Sequence, residues 1–323
     1  MIIPQQSSKN SGLWQQATLL PIALVAIEIL VINGGMILDM TTSGTSDATR
    51  VLLMDSPHWL LLTGLVLGAS EILAYRFLVK RFAKRPVTEL GATGCIKETA
   101  LGILVGSVLV SLPMLILWAR GFWRFNSFAI NSGILKGIGI GLIACVFEEL
   151  LMRGVFLRLL EQKWGAPGAL VVTSLVFGAM HLSNPGVTWL GALTIGVEAG
   201  FLLGTAYLWK RRLWFPIGLH FGWNAMQAAF WGVNVSGTGK QSGLLDGTLH
   251  GPTWLTGGSV GIEGSLLTAV IGLLAAGVIW KLTPREAPEM APHETKTPTD
   301  EVPNTGETPA ITASEPGRQT QRD

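Results

Sequence analysis

A chain of 323 residues with 49% hydrophobic and only 14% charged residues falls well short of the roughly 25% charge of an average soluble domain. That excludes an ordinary water-soluble enzyme, and a formal net charge of +2 gives no footing for a nucleic-acid partner. The two cysteines, Cys95 and Cys145, have neither the number nor the spacing of a disulfide framework or a metal site.

Apolar runs recur near 17–38, 57–79, 99–118, 134–160, 168–183, 187–208, 213–232 and 264–281. About 20 apolar residues in a helix cross roughly 30 Å of hydrocarbon. Only helices and closed barrels satisfy their backbone in lipid, and continuous runs rather than ten-residue alternation argue for helices. The expected fold is therefore all-α, a polytopic membrane bundle of about eight transmembrane helices. The first run exceeds a signal-peptide core and no small-x-small cleavage site follows, so it reads as a retained helix.

Positive charge marks cytoplasmic loops. Arg76, Lys80, Arg81, Lys84 and Arg85 follow the second run; Arg158 and Lys163 follow the fourth; Lys210, Arg211 and Arg212 join the sixth to the seventh. With eight spans these three places share one side, which puts both termini in the cytosol. Arg120 and Arg124 fall on the other side, against the trend. Tryptophans such as Trp59, Trp118, Trp209 and Trp280 sit near span ends, as interfacial belts require. Residues 233–262 form a Gly- and Ser-rich loop opposite the cytosol. Residues 283–323 turn rich in Pro, Glu and Thr and cannot bury a core, so a disordered cytosolic tail is expected.

Charges inside the membrane are costly and persist when paired, when they line a cavity or when they do chemistry. The stretch CVFEELLMRG places Glu148, Glu149 and Arg153 in the fourth run. Glu149 and Arg153 are i and i+4 and can pair. Glu148 is turned about 100° away and is left free. Phe177 and His181 lie in the fifth run, and His220 and Asn224 share a face of the seventh. If these faces meet, Glu148 with His181 can serve as a base for water, and His220 with Asn224 can meet a developing oxyanion. Outside this set, Glu28, Glu71 and Glu198 are buried acids without an assigned role. Glu263, beside the last glycines, is expected to cap the final helix, and His250 to be solvent-exposed.

Glu148-Glu149-x-x-x-Arg153, Phe177-x-x-x-His181 and His220-x-x-x-Asn224 resemble the three motifs of the CPBP family. That family groups CAAX prenyl endopeptidases of the Ras-converting type with bacteriocin-processing and immunity-related proteins. The glycine-rich GGSVGIEGS before the last helix resembles a feature of its bacterial members. The likeness spans roughly residues 134–281. It implies an intramembrane endopeptidase, often labelled a metallopeptidase, with a water-filled cavity. On it, residues 1–132 are N-terminal transmembrane helices, 133–282 the catalytic core and 283–323 the tail. Glu148, His181, His220 and Asn224 are then catalytic, with Glu149, Arg153 and Phe177 supporting. The resemblance implies a membrane-associated protein or peptide as substrate, and the plasma membrane of a prokaryote is the expected setting.

Two mechanisms stay open. No His-Glu-x-x-His pair is present, but Glu148, His181 and His220 make an alternative three-ligand zinc set with an open water position. The metal-free mechanism is favoured because Asn224 suits an oxyanion donor better than a zinc ligand. Two other functions also stay open: a non-catalytic scaffold or immunity-type protein, and an ion-coupled transporter. The transporter is disfavoured because no internal repeat is visible.

Overall fold

The computed structural model describes residues 6–43 and 56–283, and the tail expected to be disordered lies outside them. The described chain is mostly helical. Helix α1 spans Gln6–Ser43 and α2 Pro57–Leu78, running on as a π-helical turn over Val79–Ala83. Helix α3 covers Cys95–Ala119. Helix α4, Gly133–Glu149, passes without a break into a π-helical segment, Leu150–Leu157. Helix α5 spans Arg158–Met180 and is kinked at Gly165, whose φ of 67° is left-handed. Helix α6, Trp189–Ile195, passes through a π turn at Gly196–Gly200 into α7, Phe201–Lys210. Helix α8, Trp214–Ala225, ends in a π turn, Met226–Phe230. A single turn, α9 (Thr253–Thr256), precedes α10, Leu266–Leu282.

Among the described residues, four helical stretches are long and apolar enough to cross a membrane: Gln16–Thr42, Pro57–Ala83, Cys95–Ala119 and Trp189–Lys210. They make this an integral membrane protein. The expected count of eight is not reached on that measure. The remaining runs are helical but shorter or interrupted, by π turns in 134–160 and 213–232 and by the Gly165 kink before 168–183. Helix α10 is apolar but only 17 residues long.

The helical architecture carries one small two-stranded ribbon among the described residues. Strand β1, Trp123–Phe128, pairs antiparallel with β2, Leu245–Leu249, with a bulge between Phe125 and Ser127. Part of the loop after the seventh run is thus tied to the link between the third and fourth. Trp123 anchors the ribbon, buried edge-on against Trp231 at 5.5 Å. A side chain at Gly247 would strike the Trp123 ring, so a small residue is needed there.

The basic loops gather at the opposite end. Arg212 Nε donates to Glu98 at 2.7 Å, and Arg211 makes two bonds to Glu161 at 2.5 and 2.7 Å. These join the first turns of α3 and α5 to the link after α7.

Glycines bring the helices close. Gly102 and Gly106 on α3 face α8, and Gly218 and Gly222 on α8 face α3. A Cβ at any of the four would lie 2.1–2.3 Å from a carbonyl oxygen across the contact. Paired small-xxx-small stripes of this kind let membrane helices pack backbone to backbone. His220 lies between the two α8 glycines in sequence, about 200° around the helix from each, so this packing turns it away from α3.

Candidate active site

Arg153 sits in the π-helical segment after α4 and is almost wholly buried, as is Glu149. The wider π turn keeps the i,i+4 pair intact, with Arg153 Nη1 donating to Glu149 Oε1 at 2.8 Å. Arg153 Nη2 donates to the carbonyls of Ala199 and Gly200 at 3.3 and 3.2 Å. These belong to the π turn between α6 and α7, where the backbone ladder is displaced. The Phe177 ring lies 4.7 Å from the guanidinium carbon. One cation therefore joins three helical segments through an ion pair, two carbonyls and an aromatic face. The π segment is itself held from α2: Tyr75 Oη lies 2.9 Å from the Gly154 carbonyl, and Arg158 Nε donates to that oxygen at 3.1 Å.

Glu149 Oε1 has a second partner, His220 Nδ1 at 3.0 Å. A carboxylate oxygen accepts from an Nδ1–H, which leaves Nε2 as the outward nitrogen of the ring. Nε2 stands 3.9 Å from Glu148 Oε2, just beyond a direct hydrogen bond. Glu148 Oε2 is buried and has no hydrogen-bond partner among the described residues. Arg153, Glu149, His220 and Glu148 thus form one chain, anchored at the arginine and open at the last carboxylate.

His181 Nδ1 lies 2.8 Å from the Phe177 carbonyl. A carbonyl only accepts, so that nitrogen too carries a proton, and Nε2 lies at the other edge of the ring. Its ring packs 4.9 Å from Phe177, and the His220 ring lies 6.1 Å from the same phenyl. The pairing of Glu148 with His181 expected from sequence is replaced in this geometry. The ring beside Glu148 is His220, because Glu149 holds that ring from its other side.

His181, His220 and Asn224 line one cavity with Phe177, Leu219, Trp223, Ser236 and Glu263. The centre of a water molecule can range over only about 10 Å³ there, room for about one water. Glu148 stands outside this lining, beside His220.

Glu263 was missed as a site residue. It does not cap α10; Ser265 does, its Oγ accepting from Thr268 N at 3.0 Å. Glu263 is buried and takes four donors instead: Trp223 Nε1 and Gln227 Nε2 on Oε1, each at 2.9 Å, and Ser236 N and Oγ on Oε2, at 2.6 and 2.7 Å. The sequence signal was an acid within a glycine-rich loop, where a helix cap is the simpler reading. Glu71 and Glu198 are fully buried, with no hydrogen-bond partner for either carboxyl among the described residues. Glu28 is half-buried and His250 exposed. Cys95 and Cys145 are both free.

Among the described residues no three His, Cys, Asp or Glu side chains converge closely enough to hold a metal ion.

Residues 129–226 match the family model for the type II CAAX prenyl endopeptidase, Rce1-like. The matched segment runs from just before α4 to the end of α8. It contains Glu148, Glu149, Arg153, Phe177, His181, His220 and Asn224, and leaves out α1–α3 and Glu263. The match points to a protease of the CAAX type. No curated protein and no solved structure matches the chain.

Proposed function

We infer that the protein is an intramembrane endopeptidase that hydrolyses a peptide bond of a membrane-associated protein or peptide, without a metal ion. The observation that carries this reading is the chain Arg153–Glu149–His220–Glu148. A buried ion pair orients a histidine from one side, and a carboxylate with an unpartnered oxygen waits on the other. A structural ion pair alone has no use for the last two members.

In this reading Glu148 takes a proton from water as the water oxygen bonds to the substrate carbonyl carbon. The carbonyl π electrons move to oxygen, and that oxyanion is met by Asn224 and by His220 in its protonated form. Collapse breaks the C–N bond, and the proton held by Glu148 passes to the leaving amine. His181, its Nδ1 tied to the Phe177 carbonyl, supports the water from the cavity wall. Glu149, Arg153 and Phe177 fix His220 in place.

The topology belongs to the same proposal. Eight membrane passages, some of them short, leave both termini in the cytosol. The gathering of the basic loops at one end and of β1 and β2 at the other supports that arrangement. The partners are lipid and the substrate chain; no nucleic acid takes part.

The test compares new peptide termini in membranes from cells making wild type or Glu148→Gln at matched levels. Loss of the general base lowers the rate by about 10²–10⁴-fold, so the termini owed to wild type disappear. Identical termini in the two membranes would overturn the peptidase reading. A phenotype on gene deletion, kept by Glu148→Gln, would then point to a scaffold.

A further inference from the structure

We propose that Glu263 is a positioning residue for the hydrolytic site, a carboxylate clamp that sets the roll of α8 and hence the aim of Asn224 and His220. The proposal rests on the peptidase reading above and adds to it a residue outside the matched segment 129–226.

The stripe His220, Trp223, Asn224 and Gln227 runs down one side of α8 and its π turn, with the i, i+3, i+4, i+7 spacing of a single helical face. Its two ends are held by carboxylates. Glu149 holds His220 at Nδ1, and Glu263 Oε1 holds Trp223 and Gln227, which flank Asn224 in sequence. Asn224 is buried between these anchors and lines the cavity together with Glu263.

The other Glu263 oxygen takes the backbone N–H and hydroxyl of Ser236. Ser236 has a left-handed backbone, with φ of 46°, and its carbonyl accepts from Asn184 Nδ2 at 2.7 Å. Asn184 lies three residues beyond His181. The clamp therefore ties the loop before α10, the loop after α8 and the chain following His181 to one side of the pocket.

Four donors and no paired cation among the described residues mark an acceptor site built for an anion. An amide at 263 would turn an N–H toward donors and lose at least one of the four bonds. With all its acceptor positions filled, Glu263 has no free lone pair with which to take a proton from water. That separates its role from that of Glu148.

The experiment uses the full chain in detergent or lipid, and a peptide spanning a cleavage site identified from the termini lost in Glu148→Gln. Rates are taken per folded molecule for wild type, Glu148→Gln, Glu263→Gln, Glu263→Asp and Trp223→Phe. The clamp predicts that Glu263→Gln lowers kcat about tenfold, a fraction of the 10²-fold that a full 1 Å misplacement costs, with KM little changed. The pH–rate profile keeps its shape, and Glu263→Asp recovers part of the rate. Trp223→Phe, which removes one donor and keeps an aromatic ring, loses about threefold and serves if Glu263→Gln does not fold. A Glu263→Gln enzyme as fast per folded molecule as wild type, beside a dead Glu148→Gln, overturns the clamp and leaves the peptidase reading standing. Loss of one limb of the pH profile in Glu263→Gln overturns it too, by making Glu263 an acid or base. If Glu148→Gln cleaves as wild type does, the peptidase reading fails and the clamp falls with it.

Discussion

Two Arg–Glu pairs in this protein share the i,i+4 spacing and almost nothing else. Arg85 and Glu89 lie beyond the end of α2. There the guanidinium forks onto both carboxylate oxygens at 2.6 and 2.9 Å, and Tyr75 Oη adds a contact at 2.7 Å. Every oxygen is used, and Arg85 keeps about a fifth of its side-chain surface exposed. Glu149 and Arg153 are buried and joined by one bond, so the carboxylate has capacity left for His220 and the guanidinium for two backbone carbonyls. A fully paired carboxylate holds the fold. A partly paired one hands orientation to a neighbour, and here that neighbour faces Glu148.

The largest effect that separates the two pairs is at Arg153. Arg153→Met leaves Glu149 charged and buried, which costs about 3–5 kcal/mol, measured as unfolding free energy in detergent. Glu149→Gln with Arg153→Met removes both charges and loses less than Arg153→Met alone. If the double variant shows the sum of the single losses, the pair is not the unit described here. Arg85→Met loses less, since Tyr75 Oη still donates to the carboxylate it leaves behind.

The sequence made the polar residues of α4, α5 and α8 conspicuous, because charges and imidazoles stand out in apolar runs. It did not show which ring would face Glu148. That depends on Glu149 capturing His220, a contact across 71 residues. The glycine stripes Gly102/Gly106 and Gly218/Gly222 were not singled out in the sequence. Their consequence, turning His220 away from α3, needed the partner helix. The π turns carry no pattern of their own, since they are short insertions within helices that look uniform in sequence. Glu263 and the β1–β2 ribbon were hidden because each joins a loop to a segment far away in the chain.

The satisfied pair should show itself through pH. Burial pushes the Glu89 carboxyl up, but the bonds from Arg85, its Coulombic pull and the Tyr75 hydroxyl outweigh burial, so the group titrates below its ordinary value. A carboxyl lowered in the folded state adds stability that is complete above its unfolded pKa. That stability drains away as pH falls through the folded value. The thermal midpoint of wild type should therefore exceed that of Glu89→Gln at neutral pH, with the gap closing on acidification. Hydrogen bonds to a charged group contribute about 1.5–3 kcal/mol, which sets the size of the gap. A gap that is constant down to acid pH would mean that Glu89 acts through shape rather than charge.

Tyr75→Phe should give the smallest change. The hydroxyl proton goes to Glu89 or to the Gly154 carbonyl, one at a time, and each acceptor has another donor, Arg85 for the first and Arg158 for the second. Neither group is orphaned by the substitution, so the loss is about 1 kcal/mol. Yet Tyr75 is the contact through which the satisfied pair reaches the π segment that carries Arg153. If Tyr75→Phe loses only stability, the two pairs are independent. If it also slows cleavage per folded molecule, the rim network helps to hold Arg153, and through Glu149 it helps to hold His220.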